Sequence, residues 1–387
     1  MPKIDSSVHT RVLGLDILRS VAIILVVVCH ICLCFFCSAS NSEGRTAFAY
    51  VLGYYGVELF FVLSGYLIGR MLCRTFIENP TIAGACNFYK RRFLRILPAY
   101  YAILCILILF HFENGNSVKF WQYFIMLQNF DHAAEFFFPV SWSLAIESFS
   151  YIAAPVVLGY FPRLFKKQGF SAEWSIIYSI IFFCFFVLMG RIVNFYVNVP
   201  EWDANIRKQV PMRLDAIFWG VLVCLIERFF NRLYNWLMQK WVAVLFGVVN
   251  LLSAYILYDA MISNDSPTGP SYSLFYCTFN FSFTGILLSG LLPFFSQDKN
   301  FSKKAQKNCI LSKIFISTSR LSYSIYLVHF TVFQIVSQNF LVDGMNFFIR
   351  VVVNMVGLIL AICVSCLLYY FVERPFLILQ KKLFDSY

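Results

Sequence analysis

The sequence GLDILRSVAIILVVVCHICLCFFC, residues 14–37, decides the fold class because it is apolar over the length that a membrane-spanning helix needs, about 20 residues. Three ionisable residues interrupt it: Asp16, Arg19 and His30. Arg19 and His30 are eleven residues apart, so in a helix their side chains lie on nearly one face, about 16 Å apart along the axis. A buried imidazole is unfavourable unless it faces protein or water, which makes His30 a candidate functional residue. The alternative is a structural histidine that is hydrogen-bonded inside a helix bundle.

The composition of the whole chain agrees with this segment. Of 387 residues, 60% are hydrophobic and only 13% are charged, with a mean hydropathy of +0.71. A soluble domain has about 25% charged residues, so this composition excludes an ordinary soluble protein. The formal net charge of +11 could indicate nucleic-acid binding, but the basic residues lie between hydrophobic segments. That distribution is typical of membrane topology, and we expect no nucleic-acid partner.

The hydrophobic segments predict an all-α, polytopic integral membrane protein of about ten transmembrane helices. The predicted spans are 17–37, 47–69, 96–112, 140–161, 174–190, 213–227, 241–259, 273–295, 321–341 and 347–372. With a cytoplasmic N-terminus, 24 of the 31 Lys and Arg residues fall in inner segments and seven in outer ones. This bias predicts that both termini are cytoplasmic. We expect residues 1–387 to form one membrane domain with its core at 11–376 and no appended soluble domain.

Two features between the spans leave alternatives open. The outer segment 111–139 is aromatic and has few charges, so it either lies at the membrane interface or folds back into the bundle. Four cysteines crowd the outer end of the first span, but their spacing matches no zinc pattern. We interpret them as packing residues and predict no metal site. Only Cys37 lies near enough to the outer surface to suggest a disulfide, and its partner cannot be read from the sequence.

The predicted topology assigns a depth to each buried ionisable residue. His30 and Glu147 both fall in the outer half of the membrane, and Glu58 and His329 fall near the middle. A pair of His30 and Glu147 could form a general base in which the carboxylate orients the imidazole. For Glu147, Glu58 and His329 the alternative is a structural buried pair, because such groups satisfy one another.

A group of arginines lies at the inner membrane surface. The segment FYKRRFLRILPAYY places Arg91, Arg92 and Arg95 at the start of the third span, with Arg92 and Arg95 about one turn apart. Arg19 is predicted at the same level. Guanidinium groups bind phosphate oxygens in a bidentate manner and stay charged, so the group suits a phosphate-rich ligand. The alternatives are contact with lipid headgroups and a role in topology alone.

Six segments of the chain resemble, in order, the motifs of the membrane acyltransferase-three family. They are RVLGLDILRSVAIILVVVCH, GVELFFVLSGYLI, FYKRRFLRILPAYY, SWSLAIESFSY, SYSIYLVH and VERPF. The resemblance implies a single acyltransferase domain, with His30 as the essential histidine and Arg19 as its partner in the motif. It also implies Arg92 and Arg95 as an essential arginine pair and Glu147 as the acidic residue after Trp-Ser-Leu.

Four further residues are candidate supporting positions, at which a role is less direct. These are Asp16, Glu58, Ser143 and His329. Val328 stands where relatives often have an aromatic residue before the histidine, so this sequence departs from the family's pattern beside His329.

The activity that the resemblance implies is O-acylation of envelope or exported carbohydrates, such as lipopolysaccharide O-antigen. The donor is cytoplasmic acyl-CoA, usually acetyl-CoA, and no permanently bound cofactor is expected. His30 then acts either as the base that activates the acceptor hydroxyl or as an acyl carrier. The expected partners are membrane lipid, acyl-CoA and a free or lipid-linked carbohydrate, in the inner membrane of a bacterium. A proton-coupled transporter, which would also use buried His and Glu residues, and a membrane scaffold are the competing classes.

Overall fold

Helices and their connections make up the part of the chain that the structure describes, and that part contains no strand. The structure is a computed structural model. It describes residues 11–36, 43–78, 80–111, 118–131, 137–198, 201–263, 269–270, 273–297, 310–342 and 344–384. The all-α class predicted from the sequence is confirmed for these residues. Cys37 lies outside them.

The helices are numbered here in chain order. They are α1 (Leu13–Ile31), α2 (Glu43–Cys73), α3 (Ile82–His111), α4 (Phe120–Phe124), α5 (Ser141–Pro155), α6 (Phe161–Lys167), α7 (Ala172–Asn198), α8 (Phe218–Phe229), α9 (Asn231–Leu237), α10 (Lys240–Ser263), α11 (Asn280–Ser289), α12 (Leu292–Phe295), α13 (Ile310–Phe340), α14 (Phe347–Leu368) and α15 (Arg374–Phe384). Several are extended by one π-helical turn, as at Cys32–Phe36 after α1 and Tyr369–Glu373 between α14 and α15.

Eight helical segments of the described chain are long and apolar enough to cross a membrane. They are Leu13–Phe36, Glu43–Glu78, Ile82–Phe110, Ser141–Lys167, Ala172–Asn198, Lys240–Ser263, Phe275–Phe295 and Phe347–Phe384. Each coincides with a predicted span. The other two predicted spans correspond to α8, whose 12 residues rise only about 18 Å, and to α13, which has 31 residues but is less apolar. The count of ten and the cytoplasmic termini therefore stay predictions.

The centre of the bundle is formed by α2, which packs against α1 on one side and α8 on the other. Glycines allow α2 and α8 to approach to backbone contact. A Cβ at Gly65 would lie 1.8 Å from the carbonyl oxygen of Ile217, and one at Gly220 would lie 2.0 Å from that of Val62. Any larger residue at Gly65 or Gly220 would force the two helices apart. On its opposite side α1 packs against α13, and this contact brings two of the predicted site residues together.

The connection between α7 and α8 is part of the core. It begins with the π-helical turn Trp202–Arg207, and Trp202 is fully buried. The outer segment after α3 reaches it from the other side: the backbone N–H of Val210 donates to the carbonyl of Asn129 at 2.9 Å. Gln128 and Asn129 are both buried. The described part of segment 111–139 therefore folds back into the bundle, one of the two alternatives open from the sequence.

Candidate active site

The site consists of two polar groups at different levels of α1. One surrounds His30 near the end of the helix, and the other surrounds Arg19 in its second turn. Both use the same neighbour, because α13 packs along α1 and presents side chains at each level. The face of α1 that carries Arg19 and His30 thus packs against protein rather than lipid. We call the upper group the histidine pair, His30 and His329, and the lower group the arginine group, Arg19, Arg92 and Arg95.

The histidine pair is held by a chain of hydrogen bonds. Nδ1 of His30 lies 2.8 Å from Nε2 of His329, and Nδ1 of His329 lies 2.8 Å from the carbonyl oxygen of Ile325 in the preceding turn. His329 is fully buried, whereas His30 is partly exposed. The ring of Phe330 lies edge-on to that of His30, with the centroids 4.6 Å apart. Within the described chain, no carboxylate hydrogen-bonds to either imidazole.

The pairing differs from the one predicted from depth alone. Depth alone suggested Glu147 as the partner of His30, but in the structure His30 contacts the imidazole of His329 instead. The carboxylate of Glu147 accepts a hydrogen bond from the hydroxyl of Tyr151, one turn along α5, and lies within electrostatic range of Arg19 and Arg92. Glu147 therefore lies with the arginine group and not with His30, contrary to the shared depth predicted from the sequence.

Hydroxyl groups lie beside the histidine pair. Ser143 and Tyr326 share a hydrogen bond of 2.6 Å, and both are buried. Tyr326 precedes His329 by three residues on α13, and their ring centroids are 6.0 Å apart. Ser143, a supporting position in the sequence analysis, therefore contacts the helix that carries His329.

Two cations, Arg207 and Lys208, also lie close to the histidine pair. Arg207 and Lys208 are within electrostatic range of His30, and the guanidinium of Arg207 lies over the ring of Trp142, 5.1 Å from its centroid. Both cations bond to Asp203. Burial raises the pKa of that carboxyl, but Lys208 and Arg207 together outweigh this and hold the pKa below its usual range. Asp203 is therefore an ionised counter-charge for the two cations.

The arginine group lies at the other end of the site. Arg95 and Glu147 act electrostatically on Arg19, and Arg95 acts on Arg92 as well. Within the described part of the chain, none of the three guanidinium groups has a hydrogen bond or a close ion pair to a carboxylate. Arg19 and Arg92 are half-buried, whereas Arg95 is exposed. A half-buried cation without a bonded partner carries a desolvation penalty, and binding of an anion relieves it.

Arg92 is the clearest example of an arginine without a bonded carboxylate among the described residues. Its guanidinium lies over the ring of Tyr151, 5.7 Å from the centroid, and its Nε is buried with no hydrogen-bond acceptor. The hydroxyl of Tyr151 donates to Glu147, so the carboxylate bonds to this phenol rather than to Arg92. Glu373 of the VERPF segment adds a second acid at this level: it accepts a 2.6 Å hydrogen bond from Ser324 and acts on Arg95 and Arg19.

Two other residues predicted at the inner surface have structural partners. The guanidinium of Arg91 donates to the carbonyl of Phe384 and lies 5.2 Å from the centroid of that ring, so Arg91 fastens α15 to α3. The carboxylate of Asp16 accepts two hydrogen bonds from Arg11, at 2.5 and 2.9 Å, and one from Ser319 at 2.6 Å. Asp16 therefore ties the start of α1 to α13 rather than facing the ligand.

Glu58, the acid near the middle of α2, also has a structural partner. Nη2 of Arg213 donates to both of its carboxylate oxygens, at 2.6 and 2.7 Å, and the two side chains are 2% and 1% exposed. A second buried pair lies beside it, in which Arg191 bonds to Asp215 at 3.0 and 3.1 Å. The contacts of Glu58 are therefore those of a structural buried pair, the alternative left open from the sequence.

Several residues of the site were missed by the sequence analysis. Arg207 lies in none of the six motifs, whereas Tyr151, Tyr326 and Glu373 lie within motifs without being assigned a role. Residues 203–215 contain three basic residues between two acidic ones, Asp203 and Asp215, and this close spacing was an available signal for ion pairs. Groups of three or more His, Cys, Asp or Glu side chains able to hold a metal do not occur among the described residues.

The fold is that of a helical membrane protein, and its site combines the histidine pair with an arginine group that has no bonded carboxylate among the described residues. The chain belongs to the acyltransferase 3 family: the family profile, described as an acyltransferase domain, matches residues 12–370. The suspected family is thereby confirmed. No solved structure matches the chain.

Curated relatives are longer than this chain. A Staphylococcus aureus (strain COL) protein named "Putative O-acetyltransferase SACOL0978" is 27% identical over 386 residues, covering 94% of this chain and 57% of the relative. The O-acetyltransferase OatA of Staphylococcus aureus (strain NCTC 8325 / PS 47) is 22% identical over 390 residues, covering 97% of this chain and 58% of OatA. The chain thus spans somewhat more than half the length of these relatives.

Proposed function

We propose that this protein is a membrane O-acyltransferase that moves an acyl group, most simply acetyl, from acyl-CoA to a hydroxyl of an envelope or exported carbohydrate. The observation that carries the proposal is the arrangement on α1. An unpaired guanidinium group, Arg19, and a histidine pair are set about 16 Å apart along the axis of one helix. The family and the names of the relatives support acyl transfer, and acetyl in particular.

The arginine group is the proposed site for the donor. Coenzyme A has phosphate groups at its nucleotide end and a thioester at the end of a long flexible arm. Arg19, Arg92 and Arg95 would bind the phosphates from the cytoplasmic face, because guanidinium groups form bidentate, charge-assisted hydrogen bonds with phosphate oxygens. The arm would then extend along α1 towards the histidine pair. Lipid headgroups are the competing anions for the same arginines.

The histidine pair is the proposed site of chemistry. In the direct route, His30 removes the proton of the acceptor hydroxyl while its oxygen attacks the thioester carbonyl. The carbon–sulfur bond breaks, the ester forms, and the proton passes from His30 to the departing thiolate of coenzyme A. In the alternative route, His30 is acylated first and then transfers the group to the acceptor. Both routes end with the same ester and free coenzyme A.

The acceptor is proposed from the family alone. It is a carbohydrate, free or lipid-linked, and lipopolysaccharide O-antigen is one example of the class. Chemistry at the histidine pair would occur in the outer half of a cytoplasmic membrane if both termini are cytoplasmic. A proton-coupled transporter would also use buried His and Glu residues, but it has no need for unpaired arginines below the histidine.

The proposal is tested in two stages. Deletion of the gene should remove an ester from one envelope carbohydrate, which then serves as acceptor for purified protein in lipid nanodiscs with radiolabelled acetyl-CoA. We expect labelled ester and free coenzyme A in equal amounts. His30→Ala should lower the rate by about 10²–10⁴-fold if His30 is a general base, and by more if it carries the acyl group. Arg232→Ala, at an exposed arginine of α9, is the control and should transfer normally.

Mass spectrometry after incubation with donor alone distinguishes the two routes, since only the relay leaves an acyl group on His30. A deletion that changes no envelope ester, together with purified protein that releases no coenzyme A, would refute an acyltransferase. A folded His30→Ala protein with full activity would refute the role of the histidine.

A further inference from the structure

The hydrogen bonds of the histidine pair restrict where its protons lie. A carbonyl oxygen only accepts hydrogen bonds, so the 2.8 Å contact with Ile325 requires a proton on Nδ1 of His329. A neutral imidazole with a proton on Nδ1 has a lone pair on Nε2. That nitrogen lies 2.8 Å from Nδ1 of His30, and two ring nitrogens at this distance share one proton.

The remaining choice is which ring supplies the shared proton. If His329 supplied it, His329 would hold protons on both nitrogens and be an imidazolium. His329 is fully buried, and within the described chain no carboxylate is hydrogen-bonded to it. Arg207 and Lys208 add positive charge on the side of His30. A buried cation in these surroundings is unfavourable, so His329 is neutral and His30 donates from its Nδ1.

We infer that His329 is a positioning residue that fixes the tautomer and ring orientation of His30, so that Nε2 of His30 is the nitrogen that reacts. Nδ1 of His30 is protonated and directed at His329, the backbone carbonyl of Val26 one turn earlier also acts on this ring, and among the described residues no side chain hydrogen-bonds to Nε2. His30 is partly exposed, which allows Nε2 to meet a substrate, whereas His329 is fully buried. The backbone carbonyl of Ile325 takes the orienting role that a carboxylate has in many catalytic triads.

This inference rests on the proposed function only for its kinetic consequence, because the tautomer exists without substrate. The chain has five histidines, and a background with Gln at His9, His111 and His132 leaves the pair alone. Solid-state ¹⁵N spectra of this protein in lipid bilayers separate protonated from unprotonated ring nitrogens. We expect both rings to be neutral, with protonated Nδ1 and unprotonated Nε2.

Two substitutions of His329 form a matched pair. His329→Gln keeps an amide oxygen at about the position of Nε2, so it can still accept the proton of His30. His329→Phe keeps an aromatic ring of similar size but provides no acceptor. His30 should therefore keep a protonated Nδ1 in the Gln variant and lose this preference in the Phe variant. Each variant also isolates the signals of His30.

Kinetics should follow the tautomer. His329→Phe should lower kcat by about 10²–10⁴-fold, as expected when a general base is in the wrong tautomer, with little change in KM for acyl-CoA. His329→Gln should recover most of kcat. A merely structural role for His329 would predict no such rescue and no change in the spectrum of His30.

The possible results distinguish failure of the tautomer assignment from failure of the proposed function. A protonated Nε2 on His30 in the background protein, or an unchanged spectrum in His329→Phe, would overturn the inference and leave the proposed function standing. If His329→Phe does not fold, the spectrum of the background protein still decides. The expected spectrum combined with a fully active His30→Ala variant would instead refute the proposed function and keep the tautomer assignment.

Discussion

Removal of Arg92 should weaken donor binding by a predictable amount. Nε of Arg92 is buried without an acceptor among the described residues, and the guanidinium lies over the ring of Tyr151. A charge-assisted hydrogen bond to phosphate contributes about 1.5–3 kcal/mol. At about 1.4 kcal/mol per factor of ten, Arg92→Ala should raise the Kd for coenzyme A by about 10- to 150-fold. Because Arg92 has no carboxylate bonded to it in the described chain, the variant loses only the contact with the ring of Tyr151 and a weak attraction to Glu147, and it should unfold close to the wild-type temperature.

Titration calorimetry of coenzyme A into protein in nanodiscs measures this effect without requiring turnover or acceptor. Arg92→Lys should recover affinity only in part, since the ammonium group lacks the bidentate geometry of guanidinium. Arg232→Ala is again the control, because this arginine is exposed on α9. An unchanged Kd for the double variant Arg92→Ala, Arg95→Ala would refute the reasoning and assign the arginines to lipid contact or topology.

Three further predictions concern stability and topology. Glu58→Gln should destabilise the protein by about 3–5 kcal/mol because it leaves the buried Arg213 without its counter-charge. The double variant Glu58→Leu, Arg213→Met should recover much of this stability in thermal unfolding. Equal stability of the wild type and Glu58→Gln would contradict the importance of the pair. The pKa of folded Asp203 lies below its unfolded value of about 3.9, so the stability that its carboxylate contributes is complete above that pH and is lost as the pH falls through the folded pKa. Asp203→Asn should therefore make stability depend less on pH on the acid side. An unchanged acid dependence of stability in this variant would count against the ionised Asp203. An impermeant maleimide should reach the exposed Cys86 from the cytoplasmic side only, as detected on its peptide by mass spectrometry, and labelling in intact cells would reverse the topology.

The arginines of the two levels differ in a way that bears on function. Arg191, Arg207 and Arg213 each hold a carboxylate, so their charges are neutralised inside the fold. Those of the arginine group have no carboxylate bonded to them within the described residues. Arg19 and Arg92 are half-buried without a bonded carboxylate, an arrangement that adds nothing to stability and favours an anionic ligand over a structural role.

The sequence alone was sufficient for the class of protein. Length and continuity of apolar segments determine which parts can enter a bilayer, and the eleven-residue spacing of Arg19 and His30 determines that both lie on one face of α1. These are local properties of a helix, and they need no knowledge of its neighbours. The ordered motifs likewise indicated the family.

Only the tertiary structure decided which buried groups meet. The predicted depth suggested Glu147 as the partner of His30, but Glu147 lies with the arginine group, and α13, which packs against α1, supplies His329 instead. The pairing of Glu58 with Arg213 likewise depends on the close crossing of α2 and α8 at Gly65. Sequence patterns determine the face and the depth of a side chain, whereas its partner depends on the order in which helices pack around one another, and that order arises from contacts between residues far apart in the chain.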